Sequence, residues 1–141
     1  MVTDEDSLGF ISVNHLAYQV RTGMMNAAIF FFEKKLKWIE LPHRKVTDDW
    51  GQARFFTQQS DYGVVIQLTE LSDDDPKLEM SENHIAIHSE LLNPKEAAEY
   101  ILEWANYACA GEGASIEAAN STGSKWFVYL PALFKFGLEI V

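Results

Sequence analysis

Apolar and polar positions along this chain follow two periods, and the switch between them predicts its elements. Residues 12–20 read as an apolar-rich strand. Residues 24–36 read as a helix, because Met25, Ile29, Phe32 and Leu36 recur at helical spacing and would form one buried stripe. Lys34, Lys35 and Lys37 suit its C-terminal end, where the helix dipole favours cations. Strands are predicted at 38–42, 52–58 and 63–71, separated by the turn signals Asp48-Asp49 with Gly51 and Ser60-Asp61 with Gly63. Ser72-Asp73-Asp74-Asp75-Pro76-Lys77 is the strongest loop signal. A strand at 81–89 follows, and then Asn93-Pro94-Lys95-Glu96 offers an N-cap, a proline at the first helical position and a glutamate three residues on. The helix predicted from there, 94–109, has Ala97, Ile101, Trp104 and Ala108 as its apolar face and Gly111 as its stop. Strands at 115–119, 125–130 and 136–141 complete the chain.

The two halves repeat. Asn14-His15-Leu16-Ala17 returns as Asn83-His84-Ile85-Ala86, an offset of 69 counted from 15 to 84. Ala27-Ala28 and Glu33 return as Ala97-Ala98 and Glu103, at an offset of 70. Strand order and helix position agree with a duplication, so each half is predicted as a βαβββ unit in an α+β fold. The first unit spans about 11–71, a linker about 72–79 and the second unit about 80–141, within a single domain covering 1–141.

Composition narrows the class. The 141 residues are 48% apolar and 13% aromatic, which suits a packed globule rather than a disordered chain. Nothing approaches the ~20 apolar residues of a membrane span, and the acidic start at Asp4-Glu5-Asp6 is unlike a signal peptide. The net charge of −10 argues against a nucleic-acid or anionic-membrane partner, since it would repel phosphate. Cys109 is the single cysteine, so no intrachain disulfide framework exists and a cytoplasmic location is expected.

Duplication also duplicates a histidine. Side chains alternate faces along a strand, so His15 shares a face with Ala17, and His84 with Ala86 and His88. The last strands align as well: Ile66-Gln67-Leu68-Thr69 over Leu138-Glu139-Ile140-Val141, which matches Gln67 to Glu139. Both are polar residues in apolar strands, and a carboxylate taken out of water needs a partner such as a divalent cation. His15, His84, Glu139 and Gln67 are therefore the candidate metal ligands. Two imidazoles and a carboxylate suit Fe(II) or Mn(II), while a fourth oxygen ligand from Gln67 would also suit Zn(II), Ni(II) or Co(II). His88 is a candidate acid or base beside the site. A lone strand histidine is more often structural than a ligand; it is the combination that points to a metal.

Across 11–141 the sequence resembles the vicinal-oxygen-chelate superfamily, which includes glyoxalase I, extradiol ring-cleaving dioxygenases and bleomycin-resistance proteins. The resemblance is carried by Asn14-His15-Leu16-Ala17, by the helix segment from Phe30 to Leu36, by Ile66-Gln67-Leu68-Thr69, by Asn83-His84-Ile85-Ala86 and by Gly137-Leu138-Glu139-Ile140. It implies paired βαβββ modules in mixed sheets curled around a metal-binding cavity. The ligand positions fall on His15, His84 and Glu139, with Gln67 where many glyoxalases have glutamate. The resemblance also implies a substrate-contacting role for Tyr129, a small-molecule substrate and a homodimer. The chain departs from the family's polar final turn, with Leu130-Pro131-Ala132-Leu133-Phe134-Lys135-Phe136 before Gly137. Extradiol-dioxygenase-like chemistry is expected, with the two histidines and Glu139 as its ligand set; the alternatives are a glyoxalase I-like lyase, in which Glu139 would be the base, and a metal-free binding protein of the bleomycin-resistance type.

Overall fold

The structure is a computed structural model, and it describes residues 14–42, 46–48, 51–59, 63–71 and 80–141. The predicted leader, the loop at 72–77 and the module boundary lie outside the described residues.

The first half runs β1 (Leu16–Val20), α1 (Met25–Phe30), β2 (Ile39–Glu40), β3 (Val46–Asp48), β4 (Gly51–Thr57) and β5 (Ile66–Glu70). The second runs β6 (His84–Ile87), α2 (Pro94–Tyr107), β7 (Ser115–Ala118), β8 (Trp126–Tyr129) and β9 (Gly137–Ile140). The two sheets have the same wiring. Their orders are β1-β5-β4-β2, with β3 also paired to β4, and β6-β9-β8-β7. In each, the first strand lies parallel to the last and the remaining pairs are antiparallel. The duplication read from the sequence is thus a duplication of topology. The strand expected at 38–42 is reduced to Ile39–Glu40, and β3 was not foreseen; both pair with β4, at its opposite ends.

One face of each sheet is apolar and meets the helices. Tyr18, Val20, Phe56, Ile66 and Leu68 from one sheet, and Ile85, Val128, Leu138 and Ile140 from the other, join Phe31, Phe32, Ile101 and Trp104 in a continuous core. Phe31 touches Trp104 at 5.1 Å between ring centroids, which ties the first helical segment to α2.

The first helix departs from its predicted stripe. After Phe30 it widens into a π-helical turn, Phe31–Lys35, in which the Leu36 amide reaches the Phe31 carbonyl. The extra residue in that turn rotates the face, so Phe31 and Phe32 are fully buried while Ile29 and Leu36 are only half-buried. Lys37 then closes the segment at φ 59, and the Trp38 amide bonds to the Phe32 carbonyl.

α2 starts as the sequence predicts. Asn93 accepts a hydrogen bond from the Glu96 amide at 2.9 Å, and its own side-chain amide donates to the Glu96 carboxylate at 2.7 Å. Its end differs: Cys109, at φ 59, makes the left-handed turn expected of Gly111, and the Ala110 amide returns to the Ala105 carbonyl. Gly111 serves another purpose, because a Cβ there would lie 2.0 Å from the Asn106 side-chain oxygen. Asn93→Ala is expected to lower stability by ~1 kcal/mol, read as an earlier urea midpoint with unchanged slope.

The apolar turn before β9 is a core element. Leu133 and Phe134 are fully buried, and the Phe134 ring lies 5.8 and 5.9 Å from Phe31 and Phe32. Buried Arg21 donates from Nε to the Pro131 carbonyl at 2.8 Å. A bridge between Val20 and Phe134 joins the end of β1 to this turn.

Candidate functional site

The faces turned away from the helices carry the chemistry, and cross-strand register sets what they display. In the first sheet Ala17 pairs with Gln67, and Gln67 with Phe55. In the second Ala86 pairs with Glu139, and Glu139 with Phe127. Paired residues share a face, so each sheet presents a row of small, polar and aromatic side chains at equivalent places. A histidine precedes each alanine by two residues. His15 meets Phe55 edge-on at 5.5 Å between ring centroids, and His84 meets Phe127 edge-on at the same 5.5 Å. The apolar turn before Gly137 therefore leaves Glu139 in register with Ala86 and Phe127.

The local chemistry of the half-sites suits metal ligation. His15 Nδ1 lies 2.8 Å from the Asn14 side-chain oxygen. Gln67 donates from its amide nitrogen to Thr69 Oγ1 at 2.8 Å, a bond that leaves its carbonyl oxygen unused. His84 and His15 are both exposed, and Glu139 and Gln67 are half-buried.

Tyr129 lies on the same face as Phe127 and Glu139. Its ring stacks on Phe127 at 5.6 Å, and its hydroxyl donates to the Glu117 carboxylate at 3.1 Å. Burial, the Glu117 hydrogen bond, and the charges of Glu117 and Glu139 push the phenol above its ordinary pKa, so it stays protonated near neutral pH. Gly137 makes room for this ring: a Cβ there would meet Tyr129 Cε1 at 3.0 Å and His84 Cβ at 3.7 Å. Glu117, Phe55 and Phe127 were missed in the sequence. Their signal is positional, since each becomes visible only once strands are paired.

The two half-sites do not merge within one chain. Among the described residues, no group of three His, Cys, Asp or Glu side chains could hold a metal ion. The two sheets are not closed on each other, with His15 and Gln67 at the first and His84 and Glu139 at the second. His84 lines a cleft of about 410 Å³ with Ala17 and Asn83. His88 Nδ1 is 3.0 Å from the Val141 main-chain oxygen; the residue lines a groove with Phe31 and Tyr100 and also a cleft of about 460 Å³ with His84 and Ala86. Arg54 lies on the helix side, hydrogen-bonded to Glu40 in an ion pair that keeps it charged.

No family model and no curated protein matches the chain. Solved structures do. A fosfomycin-resistance protein, FosX, from Listeria monocytogenes is 18% identical with a TM-score of 0.60, over 93% of this chain and 90% of that one. A possible glyoxalase from Bacillus cereus is 16% identical with a TM-score of 0.53, over 94% and 99%. TnmS3, an antibiotic-binding protein from a Streptomyces species, is 10% identical with a TM-score of 0.55, over 95% and 97%. Another structure of the Listeria protein, in a mutant form, holds Mn(II) and a dihydroxypropylphosphonic acid. The chain therefore shares its fold with these glyoxalase-like, fosfomycin-resistance and antibiotic-binding structures, the fold that the sequence resemblance implied. No helix among the described residues is long and apolar enough to cross a membrane.

Proposed function

We propose that this protein is a divalent-metal-dependent enzyme acting on a small molecule with metal-chelating oxygens, and that its site is assembled between two copies of the chain. The observation that carries this reading is the equivalence of the half-sites: Gln67 opposite Ala17 and Glu139 opposite Ala86, each beside a histidine seated edge-on against a phenylalanine. In a two-fold dimer, the face bearing His15 and Gln67 of one protomer would meet the face bearing His84 and Glu139 of its partner. Two imidazole nitrogens and one carboxylate suit Fe(II) or Mn(II), and Zn(II), Ni(II) or Co(II) if the Gln67 carbonyl joins them. The bound ion would supply Lewis acidity toward a bidentate oxygen substrate. Tyr129, held protonated by Glu117, would orient that substrate, and Glu139 stands where a base or ligand is required.

Within this class we favour extradiol-dioxygenase-like chemistry, because two histidines and one glutamate complete its ligand set without Gln67. A glyoxalase I-like lyase is the alternative, with Gln67 as fourth ligand. A third reading, a metal-free sequestering protein, draws support from the aromatic rows Phe55 and Phe127-Tyr129. Metal analysis of protein purified without chelator or added metal is the first test. The enzyme reading expects about one ion per chain, lost in His84→Ala; metal-free wild-type protein that binds ligands tightly without turnover would replace it with the sequestering one. Dioxygen uptake with a catechol panel on anaerobically iron-loaded protein is then set beside a hemithioacetal assay on nickel- or zinc-loaded protein. Manganese belongs in the same panel, given the ion held by the Listeria protein. Lyase turnover without dioxygen uptake would exclude the dioxygenase.

A further inference from the structure

A further cavity lies where the helices meet the second sheet. It measures about 690 Å³ and is bounded by the end of the first helical segment, the segment after β6 and α2. That volume is in the range of small-molecule pockets. Its walls are built in an unusual way. Lys35, Leu36, Lys37 and Trp38 all line it, although a regular helix would spread four consecutive residues around its circumference. The π-helical turn and the left-handed Lys37 bring them to one wall. Wide helical turns and non-glycine residues at positive φ are local irregularities that recur at ligand sites.

The polar groups of this cavity have a definite sense. Lys35 Nζ donates to Tyr100 Oη at 2.9 Å and lies 5.1 Å from the centre of that ring. An ammonium only donates, so Tyr100 Oη is the acceptor and its own proton is directed elsewhere. Among the described residues, neither group has a carboxylate or carbonyl acceptor. Lys37 and Glu90 also line the cavity, and Leu36, Trp38, Ile87 and Ile101 supply its apolar walls. In a chain of net charge −10, this is a place where cationic and phenolic donors converge over an apolar floor.

We propose that this groove binds an amphiphilic monocarboxylate, its head on Lys35 Nζ and Tyr100 Oη and its apolar body between Trp38, Ile87 and Ile101. Lys35 Nζ and Tyr100 Oη, 2.9 Å apart, match the two oxygens of a single carboxylate, and among the described residues no arginine lines the groove. The groove adjoins a cleft lined by His84, with which it shares Trp38, Ile87 and His88, but Lys35 and Tyr100 line the groove and not that cleft. Decanoate is the probe, titrated calorimetrically and followed by amide chemical shifts, with decanol as its uncharged counterpart. Decanoate is expected to bind and to shift amides of Lys35, Trp38, His88 and Leu91. Lys35→Met, which keeps the apolar stem, should weaken decanoate about tenfold and leave decanol little changed. Tyr100→Phe should weaken decanoate less. The proposal fails if decanoate does not bind, if Lys35→Met weakens both probes equally, or if the shifts fall on Ala17 and Ala86 instead.

Discussion

Co-expressed His15→Ala and Glu139→Ala chains, purified as the mixed dimer through two different tags, are expected to hold metal that neither variant holds alone. The expectation follows from the open sheets. Within one chain His15 and Gln67 belong to the first sheet and His84 and Glu139 to the second, and no three ligand side chains gather among the described residues. If the second copy completes each half-site, the mixed dimer has one site with both mutations and one with neither. It should therefore carry about half the wild-type metal, with wild-type affinity. Each variant by itself should bind at least ~10–100-fold more weakly, since loss of a supporting hydrogen bond already costs that much. Plasma emission analysis after dialysis against a weak chelator reads the difference. An intrachain site would give no recovery on mixing. A monomer in sedimentation that nevertheless holds metal would refute the shared site and leave the ligand set standing.

The parts of this site legible in the sequence are those that strand pairing preserves. Gln67 aligns with Glu139 in the sequence, and the parallel pairs β1–β5 and β6–β9 set them opposite Ala17 and Ala86. A duplicated register is a duplicated spacing, so a one-dimensional comparison finds it. Contacts that run across strands leave no such trace. Phe55 is 40 residues from His15, and Glu117 is 12 from Tyr129; nothing in either separation announces an edge-on ring contact or a hydrogen bond. The first helix misled for a different reason. Its apolar residues fit a regular period through Leu36, but burial of adjacent Phe31 and Phe32 is achieved by widening the turn, which moves the stripe. Cys109 took the left-handed position because Gly111 is required two residues on, where Asn106 leaves no room for a side chain. How the modules pair is not written in the sequence, because composition and periodicity have no bearing on whether two sheets close on each other or on a second chain.

Phe134→Ala is expected to be the most destabilising of the single substitutions considered for this chain. The ring is fully buried, and it stacks on Phe136 at 4.6 Å while meeting Phe31 and Phe32 edge-on. Truncating a buried phenylalanine removes its transfer free energy and leaves a cavity, together costing ~3–5 kcal/mol. A domain of ordinary stability has only ~5–15 kcal/mol in total. The location adds a second consequence. The main chain around this residue joins the first sheet to the second, through the Val20–Phe134 bridge, the Arg21 amide on the Leu133 carbonyl at 3.0 Å and the Lys135 amide on the Gln19 carbonyl at 3.1 Å. Loosening the plug should therefore affect both sheets together, and the urea midpoint should fall steeply in one transition followed equally by fluorescence and circular dichroism. Phe134→Leu keeps most of the volume and should cost less than half as much, about 1–1.5 kcal/mol. A loss below about 1 kcal/mol for Phe134→Ala would mean that the apolar turn is a surface loop and that β9, with Glu139, takes its register from β6 and β8 alone.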